Sequence, residues 1–170
     1  MKRFLLLLIT VISLSASAQT SEPVLKFGFL SYEAVLTSMP EYATVEQGMK
    51  DLEAQYAAEQ KRVEDEFNKK YEEFLDGQRD FPQTILQKRQ SELQELLDKN
   101  IAFKKEGQRL LAEAREKALL PLKNRLASAL ASVGSSKGLA FIVNTDQNAL
   151  PWLNITMGED VTDAVKAALK

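Results

Sequence analysis

The 170-residue chain contains neither histidine nor cysteine. Those two absences remove a Ser-His-Asp triad, a cysteine nucleophile, a zinc site of the usual His/Cys kind and a cysteine-ligated iron–sulfur cluster. They also remove disulfides, so apolar burial, helped by self-association, has to hold the fold together. Glycine and proline are scarce, at 7 and 5, which leaves few turns and favours long regular elements. Neither charge dominates, with 22 Lys+Arg against 24 Asp+Glu, and that balance does not suggest a nucleic-acid binder. A phosphate-binding glycine loop is missing too: Gly134-Ser135-Ser136-Lys137-Gly138 lacks P-loop spacing and reads as a helix stop. Glu64-Asp65-Glu66 has no glycine-centred loop for calcium and reads as a solvated face. Beyond the first 18 residues no Ser-x-x-Lys occurs. Asn154-Ile155-Thr156 matches a glycosylation sequon, a three-residue match that carries no weight alone.

The one long hydrophobic run opens the chain. Lys2 and Arg3 precede an apolar stretch over residues 4–12, and Ala16-Ser17-Ala18 follows as a small-x-small cleavage site. This is the pattern of a cleavable secretory signal peptide over residues 1–18, leaving Gln19 as the mature N-terminus. The run is shorter than the roughly 20 apolar residues a membrane span needs. Without Lys2 and Arg3 the remainder carries 20 basic and 24 acidic side chains, a formal charge of −4.

The rest divides into three parts. Residues 24–30 are apolar and aromatic with Gly28 inside them and read as a strand. Ser31 is placed to cap a short helix over residues 32–38, and Met39 before Pro40 disfavours its continuation. Pro40 suits the first position of a new helix. Apolar residues then recur at Tyr42, Val45, Met49, Leu52 and Tyr56, a heptad seam. Glu59 holds the next seam position, and the stripe resumes at Val63, Phe67, Tyr71 and Phe74 with the drift of a stutter. Gly77 reads as the stop. Asp80-Phe81-Pro82 opens a second helix, with its stripe through Leu86, Leu93, Leu97, Ile101, Leu111, Ala114, Ala118, Leu122, Leu126, Leu130 and Val133 and its end at Gly134-Ser135-Ser136. So short a connection makes the two helices an antiparallel hairpin with its tip near residues 77–82. A first helix of about 55 Å is too long for a compact globule of this size, so the hairpin over residues 40–133 projects as an arm. Hairpin counting pairs residues whose numbers sum to about 159, and it places Pro121 where the arm rejoins the body, a natural site for a bend.

Charge supports the hairpin. Residues 41–80 hold 12 acidic and 6 basic side chains, and residues 88–125 hold 6 acidic and 10 basic, so net −6 folds back on net +4. That register sets Asp51 and Glu53 near Lys104, Lys105 and Arg109, Glu72 and Glu73 near Lys88 and Arg89, and Lys61 and Arg62 near Glu95 and Asp98. It also crowds Glu64, Asp65 and Glu66 against Glu92 and Glu95. Exposed pairs of this kind contribute about 0–1 kcal/mol each, so their expected role is to choose register.

In the third part, residues 139–144 read as an apolar strand, residues 149–155 as a short strand around Trp152, and Asp160 as the cap of a last helix. Asp163 is a weak capping-box partner, and Val161, Val165, Ala168 and Leu169 form that helix's apolar face. The fold class is thus α+β: a long helical hairpin on a small β-rich body of residues 19–39 and 134–170. About 50 residues lie near the lower limit for an independent core, and two or three short strands leave open edges. Self-association into a shared sheet follows as the remedy.

The arm's bulky side chains, Tyr56, Val63, Phe67, Tyr71, Phe74, Phe81 and Phe103, admit two readings. They pack between the helices, or some remain exposed, because a two-helix coil is too thin to hide many aromatics. Exposed ones would hold unfolded chains.

The ordered set of leader, KFGFLSYEAVLTSMPEY, charged hairpin, PLKNRLASALASVGSSKGLAFIVNTD and EDVTDAVKAAL resembles the OmpH/Skp family of periplasmic chaperones. The resemblance implies a periplasmic homotrimer whose β-rich bodies associate and whose arms enclose a cavity. There it acts without ATP as a holdase for unfolded outer-membrane proteins, with no catalytic residue and no cofactor. It implies a trimer core of Phe27, Phe29, Leu30, Leu139, Phe141 and Val143, and arm residues facing client or cavity. The best-known members are strongly basic and this chain is acidic, so no strong binding to anionic membranes is expected. A structural coiled-coil trimer acting as spacer or adaptor is the second reading, and an enzyme the third.

Overall fold

A computed structural model describes residues 25–148 and 150–170. The expected signal peptide, the cleavage site after Ala18 and the start of the first strand at Val24 lie outside the described residues. Strand β1 (Phe27–Leu30) leads into the short helix α1 (Tyr32–Thr37) and two long helices, α2 (Pro40–Gly77) and α3 (Gln83–Lys137). Strand β2 (Phe141–Asn144), 3-10 turns at Asp146–Asn148 and Ile155–Met157, strand β3 (Glu159–Asp160) and helix α4 (Thr162–Ala168) complete the chain.

The three strands form one parallel sheet in the order β2-β1-β3. Phe27 pairs with Phe141 and Leu30 with Asn144 on one side, Gly28 with Glu159 and Phe29 with Asp160 on the other. Parallel neighbours need a crossover connection, and here the entire helical hairpin is the crossover from β1 to β2. Gly28 lies on the inward face, where an added Cβ would stand 2.9 Å from Leu139 Cδ1 and 3.0 Å from Val161 Cγ1. Only glycine lets the central strand come that close to its neighbours.

Local chemistry sets the helix ends. The Ala34 N–H donates to Ser31 Oγ (3.0 Å), while Asn144 and Asp146 reach back from beyond β2 to accept from the Tyr32 N–H (3.1 Å) and the Glu33 N–H (2.8 Å). Pro40 begins α2, where its missing donor costs nothing. α3 passes through Pro121 and then through Gly134-Ser135-Ser136, the expected stop. It ends instead at Gly138, whose φ of 62° suits glycine, with the Leu139 N–H donating to the Gly134 carbonyl at 2.9 Å.

Two further expectations are corrected. Residues 150–154 form no strand around Trp152; the third strand lies at Glu159–Asp160. Pro151 has no N–H for a ladder, and Asn154 Oδ1 accepts from the Thr156 N–H (3.1 Å), drawing the chain into a 3-10 turn. Asp160 Oδ1 accepts from the Thr162 N–H (2.9 Å), but Asp160 is a strand residue and the helix cap is Val161. On α4, Val161 and Val165 are fully buried and Leu169 packs against them, whereas Ala168 is exposed and Ala164 takes the inward position.

The core gathers on the basal third of α3. Leu119, Leu122, Leu126, Ala129 and Val133 recur at steps of three and four and are buried against Leu30, Val35, Leu36, Met39, Val161 and Val165. Residues 119–133 were expected within the arm; they are the centre of the body. β1, α1 and α4 each bury one apolar face on this stripe.

Leu126 has no exposed surface, and Leu126→Ala is expected to lower stability by about 2–5 kcal/mol in urea unfolding; a loss under about 1 kcal/mol would contradict its central place. Hydrogen bonds from the Ser31 hydroxyl and the Glu33 N–H hold the Asp146 carboxyl below the ordinary carboxylate range. A depressed folded pKa stabilises above the unfolded pKa and is lost as pH falls through the folded one. Asp146→Ala should therefore cost about 1 kcal/mol or less at pH 7, and the gap from the parent should close as pH is lowered through the acidic range in parallel melts.

Candidate functional site

No pocket of converging catalytic groups forms among the described residues, and none of them cluster as a metal site. Two surfaces carry the candidate residues: the seam of the hairpin and the outward face of the sheet.

Along the seam, Tyr56, Val63, Phe67, Phe74, Phe81 and Phe103 are half-buried, while Tyr71 is exposed and stacks on Phe67 with centroids 6.0 Å apart. Tyr56 meets Phe103 at 6.3 Å, and its ring lies over Gly107, where an added Cβ would come within 3.2 Å of Tyr56 Cδ1. One turn nearer the tip, the Asn100 side chain donates to the Val63 carbonyl across the two helices (3.1 Å). At the tip the Phe81 ring covers Gly77, leaving no room for a side chain there. Phe74, Phe81, Leu93 and Leu96 floor a cavity of about 90 Å³ rimmed by Lys70, Glu73, Arg89 and Glu92.

The inward face of α3 thus runs through Leu93, Leu96, Asn100, Phe103 and Gly107, not through Leu97 and Ile101. Those two were expected on the stripe and are exposed, Ile101 by 60%. A polar Asn100 and a side-chain-free Gly107 interrupt the apolar pattern at seam positions. The three-four alternation of residues 93, 96, 100, 103 and 107 was the signal available.

The expected interhelical charge pairs do not form. Asp65 pairs with Lys61, Glu59 and Glu66 with Arg62, Glu92 with Lys88 and Arg89, Glu95 with Lys99, and Glu106 and Glu113 with Arg109. Partners three or four residues apart on one helix meet with little loss of side-chain freedom, so they win over partners across the seam. These pairs relieve the crowding expected at residues 64–66, where Glu64 accepts from the Gln60 amide. They also hold the Glu59, Glu95 and Glu106 carboxyls below the ordinary range and push the Lys61 ammonium up. Among the described residues, pairs cross between the helices only near the base: Arg115 with Glu46 and Arg125 with Glu41. Arg125 also donates to the Leu169 carbonyl, tying the arm base to the chain after α4.

The six sheet candidates divide by face. Leu30 is buried and Leu139 packs against the same core, so both serve the chain's own interior and neither is open to another copy. Phe27, Phe29, Phe141 and Val143 lie on the opposite face. Phe27 and Phe141 stack at 5.6 Å and 7° there, with Phe141 51% exposed. Trp152, Ile155 and Met157 are also exposed, Trp152 by 79%. In the sequence they are marked only by an uncharged run from residue 147 to residue 158.

The family model for outer membrane protein, OmpH-like, matches residues 26–169, spanning body and hairpin alike. Among solved structures, the chain is similar to a candidate outer membrane chaperone, OmpH-like, from Caulobacter crescentus CB15. The TM-score is 0.61 at 19% identity, covering 87% of this chain and 84% of that one, a likeness of fold. No curated protein matches. With small sheet, helical hairpin and closing helix all inside the matched span, the chain belongs to the OmpH-like family.

Proposed function

We propose that this chain is an ATP-independent holdase chaperone of the periplasm that keeps unfolded outer-membrane proteins from aggregating inside a cavity bounded by helical arms. The observation that carries this reading is a hairpin whose first helix alone has 38 residues, or about 57 Å, rooted in a body with an apolar sheet face left open. Family membership and the chaperone likeness of the Caulobacter structure support it. Phe27, Phe29, Phe141 and Val143 are the patch on which three copies associate, because stacked aromatics exposed on a small sheet gain most by mutual burial. The client is held by many weak contacts that keep its strand edges and apolar faces apart. Nothing in that work needs a nucleophile, a metal or a nucleotide.

The half-buried positions of six of the seven arm candidates favour a second reading, a packed spacer or adaptor between envelope partners. Client protection separates the two.

Light scattering should return the mass of three chains, and Phe141→Lys should shift it to one chain with helix content unchanged by circular dichroism. A parent mass of one chain would overturn the assembly. Molar excess of the chain should suppress aggregation of an outer-membrane β-barrel protein diluted from urea, with no nucleotide present; no suppression would leave the spacer. Replacing Phe67, Tyr71 and Phe74 together with Ser should cost client protection with the trimer intact, whereas loss of arm helicity, read by circular dichroism, would favour the packed spacer.

A further inference from the structure

Beyond Tyr56 the two flanks of the arm differ in kind. The seam runs through Val63, Phe67, Lys70 and Phe74 on α2 and through Leu86, Arg89, Leu93, Leu96 and Asn100 on α3. A helix turns about 100° per residue, so the residue before each seam position lies on one flank and the residue after it on the other. In an antiparallel pair the two preceding flanks fall on the same side of the hairpin, and so do the two following ones.

On the preceding flank α2 places Arg62, Glu66, Lys69 and Glu73, and α3 places Lys88, Glu92, Glu95 and Lys99. All eight are charged, four of each sign, and Arg62 with Glu66, Lys88 with Glu92 and Lys99 with Glu95 are ion-paired. Only Ile85, at the tip, breaks that run. On the following flank α2 places Asn68, Tyr71 and Leu75, and α3 places Gln87, Gln90, Gln94, Leu97 and Ile101, all of them exposed. Glu64 borders this strip at its basal end, and Asp98, on the outer edge of α3, accepts from the Gln94 amide at 2.9 Å. From Gln87 to Ile101 the strip extends about 21 Å, the length of six or seven residues of extended chain.

We infer that this uncharged flank is the client-contact surface of the arm and that its occupant is an uncharged extended polypeptide segment with alternating polar and apolar side chains. The inference rests on the holdase reading and deepens it. Glutamine and asparagine amides both donate and accept. They match the unpaired N–H and C=O groups along an extended chain without the desolvation cost that a fixed charge would impose. Tyr71, Leu75, Leu97 and Ile101 offer apolar contact to the side chains on one face of that chain. Six of the eight charges on the opposite flank are held in ion pairs along their own helices, and an uncharged segment offers all eight no counter-charge in exchange for their water. The contacts are thus neutral matched to neutral.

The chain has no cysteine, so Gln94→Cys and Lys99→Cys can each carry a benzophenone probe. With a urea-unfolded outer-membrane β-barrel protein as client, photo-adducts are expected to dominate at position 94. Gln90→Glu with Gln94→Lys, which forms a favourable pair along α3, should weaken client binding about tenfold with helicity unchanged. Glu95→Gln with Lys99→Gln should leave binding as it was. Equal labelling of the two flanks, or unchanged affinity in the Gln90/Gln94 variant while the parent still suppresses aggregation, would overturn this strip alone. Adducts between two copies at position 94 without client would reassign it as an interchain face. No adduct at either position, together with no suppression by the parent, would remove the holdase reading as well.

Discussion

The apolar stripe on the basal third of α3 is the contact on which everything else depends. Leu119, Leu122, Leu126, Ala129 and Val133 present a heptad face that α1, β1 and α4 cover from different directions. None of those elements could stand alone: α1 has 6 residues, β1 has 4 and α4 has 7, each too short to persist without burial. The same helix carries on outward to pair with α2. Body and arm are therefore one continuous rod with two sets of partners, and Arg125, paired with Glu41 and bonded to the Leu169 carbonyl, joins the two sets where they meet.

Beyond that base the seam changes character. Gly107 beneath Tyr56 and Asn100 bonded to the Val63 carbonyl replace large apolar partners. A polar group at a coiled-coil core position gives up stability and restricts register. Ion pairs past this point run along each helix, so they support helicity and leave interhelical pairing to apolar contact and the Asn100–Val63 bond.

The sheet follows the same economy. One face is completed within the chain by Leu30, Leu139 and Val161, and the other is left with a Phe27–Phe141 stack in the open. A body of this size cannot supply a second layer for both faces. In the proposed assembly, further copies provide it.

The periodicity of seam residues, the cap at Ser31, the helix start at Pro40 and the short tip between Gly77 and Pro82 were legible in the sequence because each is a local signal. So were the hairpin, the small parallel-stranded body's first two strands and, through the ordered set of segments, the family. Tertiary structure alone decided which α3 face turns inward, since Leu97 and Ile101 are as apolar as their neighbours and only the fit against α2 leaves them outside. It decided that residues 119–133 belong to the body, because a heptad stripe looks the same whether one helix or three elements cover it. It likewise moved the third strand from Trp152 to Glu159, where pairing depends on β1 alongside and not on local apolarity, and it turned Leu139, just before β2, into the core, away from Phe141 and Val143, whose parity it shares. Burial is a property of what lies opposite, and a sequence names what lies beside.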